Sequence, residues 1–170
     1  RSMEVTGVQT CALPISAIIA THGHADHAGG AHSLSILSGA PVLTQADGLL
    51  PAGSLNINGI GVDMEVVPLP GHSSDSVGIY VAQGKFVLTG DTIFRQSSTM
   101  ICWPDGVLAA YMNSLDTLAR FVEENDVELF LTGHGPCIED PADRITRARA
   151  HRMMRLNQVV SAVRSGIPAR

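Results

Sequence analysis

Thr21-His22-Gly23-His24-Ala25-Asp26-His27 follows directly on the apolar run Ala17-Ile18-Ile19-Ala20 and leads into Gly29-Gly30. Four side chains able to ligate a metal fall within six residues, His22, His24, Asp26 and His27. Imidazoles and carboxylates at this density are costly to bury unless something binds them. A surface loop could carry them harmlessly. An apolar strand running straight into them instead places a metal site at a strand's end.

The pattern recurs down the chain. Val62 to Leu69 reads as a strand ending at Pro70-Gly71-His72, Phe86 to Thr89 runs into Gly90-Asp91, and Val127 to Leu131 runs into Gly133-His134-Gly135. Each apolar run thus delivers a ligand within a few residues, and strands of one packed sheet system can bring such ends to one edge. Glycine immediately precedes His24, His72, Asp91 and His134, which suits tight turns where side chains converge. The candidates number seven: His22, His24, Asp26, His27, His72, Asp91 and His134. One tetrahedral zinc takes about four protein ligands or fewer, so seven suit two ions. Asp91 is assigned the bridge between them, since a carboxylate has two oxygens, and Asp26 and Asp91 are the candidate catalytic carboxylates. Two cations ~3.5–4 Å apart can share a hydroxide and polarise a substrate oxygen, so hydrolysis needs no serine or cysteine nucleophile.

Between these points the periodicity predicts a short helix over Ala31–Ser38 stopped by Gly39, and a strand at Pro41–Thr44. A Gly/Asn/Asp-rich loop with one edge strand follows over 46–61, and a hairpin pairs Val77–Ala82 with Phe86–Thr89 about Gln83-Gly84-Lys85. Arg95 to Asp105 reads as loop. Leu108, Tyr111, Leu115, Leu118 and Val122 form one stripe of a helix over Val107–Glu124. Asp140-Pro141 opens an arginine-rich helix reaching Ser165, with aspartate at the cap and proline just inside.

Length and composition bound the rest. A chain of 170 residues with 45% hydrophobic and 16% charged residues reads as one soluble globular domain, and no apolar run approaches the ~20 residues of a membrane span. Three cysteines without a CxxC pair speak against a disulfide framework or a thiolate zinc site and fit a reducing, cytoplasmic setting. Charge is uneven: residues 141–170 hold seven arginines and one acid, a net of +6, leaving −11 on the remainder. A solvated helix face accounts for the basic segment, with an anionic partner as the alternative.

HxHxDH followed by GH, GD and GHG segments resembles the metallo-β-lactamase superfamily. That resemblance implies a mixed α/β (α+β) fold, a four-layer αββα sandwich with its metals at one sheet edge. It further implies that His22, His24 and His72 bind one metal, Asp26, His27 and His134 the other, and that Asp91 bridges. Ala110-Tyr111-Met112-Asn113-Ser114-Leu115, Gly133-His134-Gly135-Pro136, Pro141-Ala142-Asp143 and His151-Arg152 resemble the branch of the lactamase-like endoribonuclease and its bacterial relatives. The histidine at 27 and an aspartate, not cysteine, at 91 argue against antibiotic hydrolysis. The family's opening strands should precede HxHxDH. Instead, Val5 to Ile15 resembles the translation of a short-read sequencing adapter, so 1–16 is set apart as non-native and 17–170 is read as an N-terminally truncated domain.

The resulting expectation is a hydrolase with two divalent ions, zinc first and iron or manganese as alternatives, cleaving an ester, thioester, lactone or phosphodiester in a small molecule or RNA. A mononuclear iron oxygenase of the persulfide-dioxygenase type and a non-catalytic RNA-binding or truncated domain are the competing readings. Oligomeric state is left open. Outside the constellation, His32 reads as helix surface, His151 as packing or solvent, Cys102 and Cys137 as small core residues, Trp103 as pocket wall or core anchor, and Asp75 as a turn residue or an acceptor orienting His72.

Overall fold

The computed structural model describes residues 14–166. The segment 1–16 set apart above lies outside the described residues up to residue 13. The described chain runs β1 (Ile18–Ile19), α1 (Ala25–Ala28), α2 (Ala31–Ser38), β2 (Val42–Leu43), β3 (Gly53–Leu55), β4 (Met64–Pro68), β5 (Val77–Val81), β6 (Phe86–Gly90), α3 (Leu108–Asn125), β7 (Leu129–Thr132) and α4 (Pro141–Arg164). β1 and β2 pair in parallel as one small sheet. A second sheet has the order β3-β4-β5-β6-β7, antiparallel until β6, which pairs in parallel with β7.

Strand alternation sends side chains to opposite faces of the larger sheet. Val66, Val77 and Ile79 join Leu50 and Leu55 on one face, where Ile19 and Leu43 of the small sheet pack against them. Val67, Tyr80, Val87 and Phe130 point the other way and meet Tyr111, Leu115 and Leu118 of α3 and Ile145 and Ala148 of α4. With α2 in contact with β1 and β2, the layers run helix, sheet, sheet, helix. This is the αββα order expected from the motif.

Helix ends follow local chemistry. Gly39 closes α2 with φ +74°, a left-handed conformation that costs glycine nothing. α4 begins where Asp140 accepts a hydrogen bond from the Asp143 backbone N–H, with Pro141 in the first turn. On α3 the stripe is buried at Tyr111, Leu115 and Leu118, while Leu108 at its start is 37% exposed.

Three side chains differ from expectation. Cys102 is exposed and Cys137 only half-buried, both as free thiols, so neither is a core residue. Trp103 is 88% exposed and anchors no core. All three lie in connections without periodic structure, where an apolar side chain has no strand or helix face to direct it inward. Among the described residues no helix is long and apolar enough to cross a membrane.

Candidate metal centre

The ends of β1, β4, β6 and β7 meet at one edge of the sandwich. Past β1, the Thr21 carbonyl accepts from the Val77 backbone N–H at 2.9 Å, tying the histidine motif to β5. The chain then winds into α1, with the His24 carbonyl accepting from the N–H groups of His27 and Ala28. That turn sets Asp26 and His27 beside the earlier histidines. His72 lies on a turn after β4 held by α3: Ser114 Oγ donates to the Pro70 carbonyl at 2.7 Å and the Val107 N–H to the Gly71 carbonyl at 2.9 Å. Gly71, at φ +135°, passes so close to Tyr111 that a Cβ would overlap its backbone.

β6 carries a register shift between Leu88 and Gly90 opposite β7. A bulge of this kind re-aims the residue that follows, which here is Asp91. β7 leads through Gly133 to His134, and Gly133 N–H donates to the Gly90 carbonyl at 2.8 Å. A Cβ at 133 would strike Asp91 Oδ1 and lie 2.6 Å from His27 Cε1. Glycine is required there by the two side chains it lies against.

All seven candidate residues converge. His22 Nε2 lies 3.1 Å from His24 Nδ1, which lies 3.0 Å from His72 Nε2. His27 Nε2 lies 3.2 Å from His134 Nε2, which is 3.1 Å from Asp26 Oδ2. Asp91 sits between the two groups, with Oδ1 3.2 Å from His27 and Oδ2 3.7 Å from His72 and 3.6 Å from His134. The residues therefore form the triads His22–His24–His72 and Asp26–His27–His134, and His22, His27 and Asp91 make a third grouping across the middle.

The donor set fits cations. His72 Nδ1 donates to the Met100 carbonyl at 2.7 Å, which turns its Nε2 toward His24. His22 is held neutral: its pKa falls to about 4, through burial first and then through the neighbouring His27 and His72. His24 Nδ1 faces both rings and has at most one proton to share. The ring nitrogens thus face one another at 3.1 and 3.0 Å, near the ~3.3 Å between nitrogens arranged tetrahedrally about an ion 2.0–2.1 Å away. Asp91 Oδ1 is also buried with no aligned hydrogen-bond donor among the described residues. Asp26, by contrast, opens to solvent; its pKa is lowered by its own backbone N–H and then by His27 and His134.

A model of the metallo-β-lactamase superfamily matches residues 12–53 and 54–134. The chain belongs to that superfamily. Its metallo-β-lactamase fold resembles that of TTHA1623, solved in a di-iron-bound form, at a TM-score of 0.61 and 29% identity over 79% of this chain and 77% of the other. In sequence it is 29% identical to a hydroxyacylglutathione hydrolase of Albidiferax ferrireducens, over 71% of this chain and 50% of the relative. It is 27% identical to an atrochrysone carboxyl ACP thioesterase of Aspergillus chevalieri, over 89% of this chain and 49% of that one. The chain spans about half the length of these curated relatives.

Other sequence candidates are placed differently. His32 is exposed on α2, away from the cluster, as a surface residue. Asp75 does not orient His72; its Oδ1 accepts from Ser73 Oγ at 2.7 Å, and the Met100 carbonyl holds the His72 ring instead. A backbone acceptor leaves no mark in residue type, so no sequence signal could have found Met100. Asp105 was also missed: it accepts from the Ser74 N–H at 2.9 Å and fastens the turn after His72.

Proposed function

We propose that this metallo-β-lactamase domain is a hydrolase that holds two divalent cations, zinc foremost, and cleaves a thioester or a related ester. The observation that carries the reading is the pair of triads with Asp91 between them. In this assignment His22, His24 and His72 would hold one ion and Asp26, His27 and His134 the other, with Asp91 placed between the two groups. Two ions held there would supply Lewis acidity and a water acidified toward neutral pH.

The chain's own residues do the remainder. Asp91, with the Gly133 backbone against it, fixes the spacing of the triads. His22, neutral and buried, offers a lone pair without competing for a proton. Asp26, ionised and on the solvent side, is placed to accept the proton lost by the attacking water. As the carbon–oxygen bond forms and the bond to sulfur or oxygen breaks, that proton passes to the leaving group.

Thioester cleavage is favoured because two related sequences bear the names of thioester hydrolases, a hydroxyacylglutathione hydrolase and an acyl-carrier-protein thioesterase. The RNA reading rests on the sequence resemblance alone. Assembly of Asp26, His27 and His134 beside the first triad speaks for a binuclear centre over the mononuclear oxygenase. Free thiols at Cys102 and Cys137 support a reducing, cytoplasmic setting. The test is a panel of thioesters, lactones, phosphodiesters and single-stranded RNA offered to the metal-loaded chain. Thioester turnover abolished by chelation is expected, and metal-independent turnover would remove the proposed chemistry.

A further inference from the structure

Beside the metal centre, the loop after β6 and the first half of α4 enclose a cavity of about 330 Å³. Its walls carry Arg95, Arg144, Arg147, His151 and Arg152, and among the described residues no carboxylate lines it. Four guanidinium groups thus gather here in a chain of net charge −5, three of them from the arginine-rich segment 141–170. Neutral groups hold most of them in place. Arg144 donates to the Phe94 carbonyl and, at 2.9 Å, to the Ser97 carbonyl. Arg152 donates to the Thr99 carbonyl and lies over the Tyr111 ring, 5.2 Å from its centre. Arg95 reaches the Cys137 carbonyl at 3.4 Å, and His151 Nδ1 lies 3.2 Å from Ser98 Oγ. Among the described residues, Arg147 is the one of these five with an acidic partner, Asp143 at 2.7 Å.

Carbonyls fix a guanidinium's position without cancelling its charge, and each guanidinium has five N–H donors, of which these contacts use one or two. Arg144 shows the consequence: burial first, and then neighbouring Arg147, lower its pKa against the opposing pull of Tyr111 and Asp143. Guanidinium groups held in place by carbonyls, with donors unspent, form the natural complement of an oxyanion.

The same loop borders the metal centre. The Phe94 ring is 6.1 Å from that of His134, and the Met100 carbonyl holds His72. We propose that the cavity is an anion subsite, taking a phosphate or carboxylate group of the substrate while the scissile bond lies at the His/Asp centre. The word substrate rests on the hydrolase reading above; anion binding does not.

The test titrates inorganic phosphate and, separately, acetate into the full metal-loaded chain by calorimetry at constant ionic strength. It is repeated with the double variant Arg147→Gln/His151→Gln, which spares the Arg144 and Arg152 contacts that hold the loop. Saturable binding weakened at least tenfold in the variant is expected, with phosphate the tighter of the two if a phosphate group is the natural occupant and acetate if a carboxylate is. Absence of saturable binding by either anion, or equal affinity in both proteins, overturns the proposal. A kinetic arm compares thioesters with and without a remote anionic group: the variant should raise KM at least tenfold for the charged one only, with kcat kept. An equal effect on both substrates refutes the subsite. Variant-sensitive phosphate binding without turnover of any ester would leave the anion site standing and remove the hydrolase reading.

Discussion

Asp91 is the residue on which the two triads depend, since its oxygens face His27 on one side and His72 and His134 on the other. Asp91→Ala should abolish hydrolysis and reduce bound metal to about one ion per chain or less, read by plasma mass spectrometry with circular dichroism to verify the fold. Gly133→Ala should weaken metal binding by roughly 10–100-fold, as changes beside ligands do, because its Cβ would push on Asp91 and His27. Competition with a chromogenic chelator measures that loss. His22 sets a pH dependence in the metal-free chain. Its folded pKa of about 4 lies below the ordinary imidazole value of 6.5, so between these values the unfolded chain binds more protons than the folded one. Its contribution is full above about pH 6.5 and is lost as pH falls toward about 4. The His22 ring resonances of the chelator-treated protein should accordingly titrate near pH 4, well below the ordinary imidazole value of 6.5.

At the scale of elements, α4 is begun by Asp140 and positions the loop after β6 through Arg144 and Arg152. Asp140→Ala removes the cap and should cost about 1 kcal/mol in urea unfolding. How much of this was legible depended on where the signal resides. Helices α2 and α3 and strands β4 to β6 could be read because their apolar periods are local, as is the glycine that closes α2. The seven converging residues were legible for a related reason: histidine and aspartate at the ends of apolar runs are distinctive residue types. The Met100 carbonyl and the holding of a loop by Arg144 and Arg152 were not. The first is a backbone atom, and the second depends on a packing angle between α4 and a loop without periodicity. Cys102 and Trp103 were misjudged for the same reason, since residue type alone does not say which way a loop side chain turns.

Across the whole molecule, one sheet serves two faces: Phe130 and Val87 pack against α3 and α4, while Val66 and Ile79 pack toward β1 and β2. The metal centre lies where both layers end, so its geometry depends on the stacking of the sheets as well as on the loops. Phe130, fully buried in β7 just before the His134 turn, tests this dependence. Phe130→Ala should destabilise the fold by ~3–5 kcal/mol, seen as a lowered urea midpoint, and should weaken metal retention although it touches no ligand. The site location followed from the sequence because strands ending in ligands can share an edge, whereas the layer order came from the family resemblance. The basic cavity did not, because its walls come from segments fifty residues apart.

The central claim is that the two triads hold two cations that act together. It is tested most directly by measuring metal per chain while activity is restored to the chelator-treated protein with increasing zinc. The account expects turnover to rise until about two ions are bound per chain. Full activity with a single bound ion would contradict it.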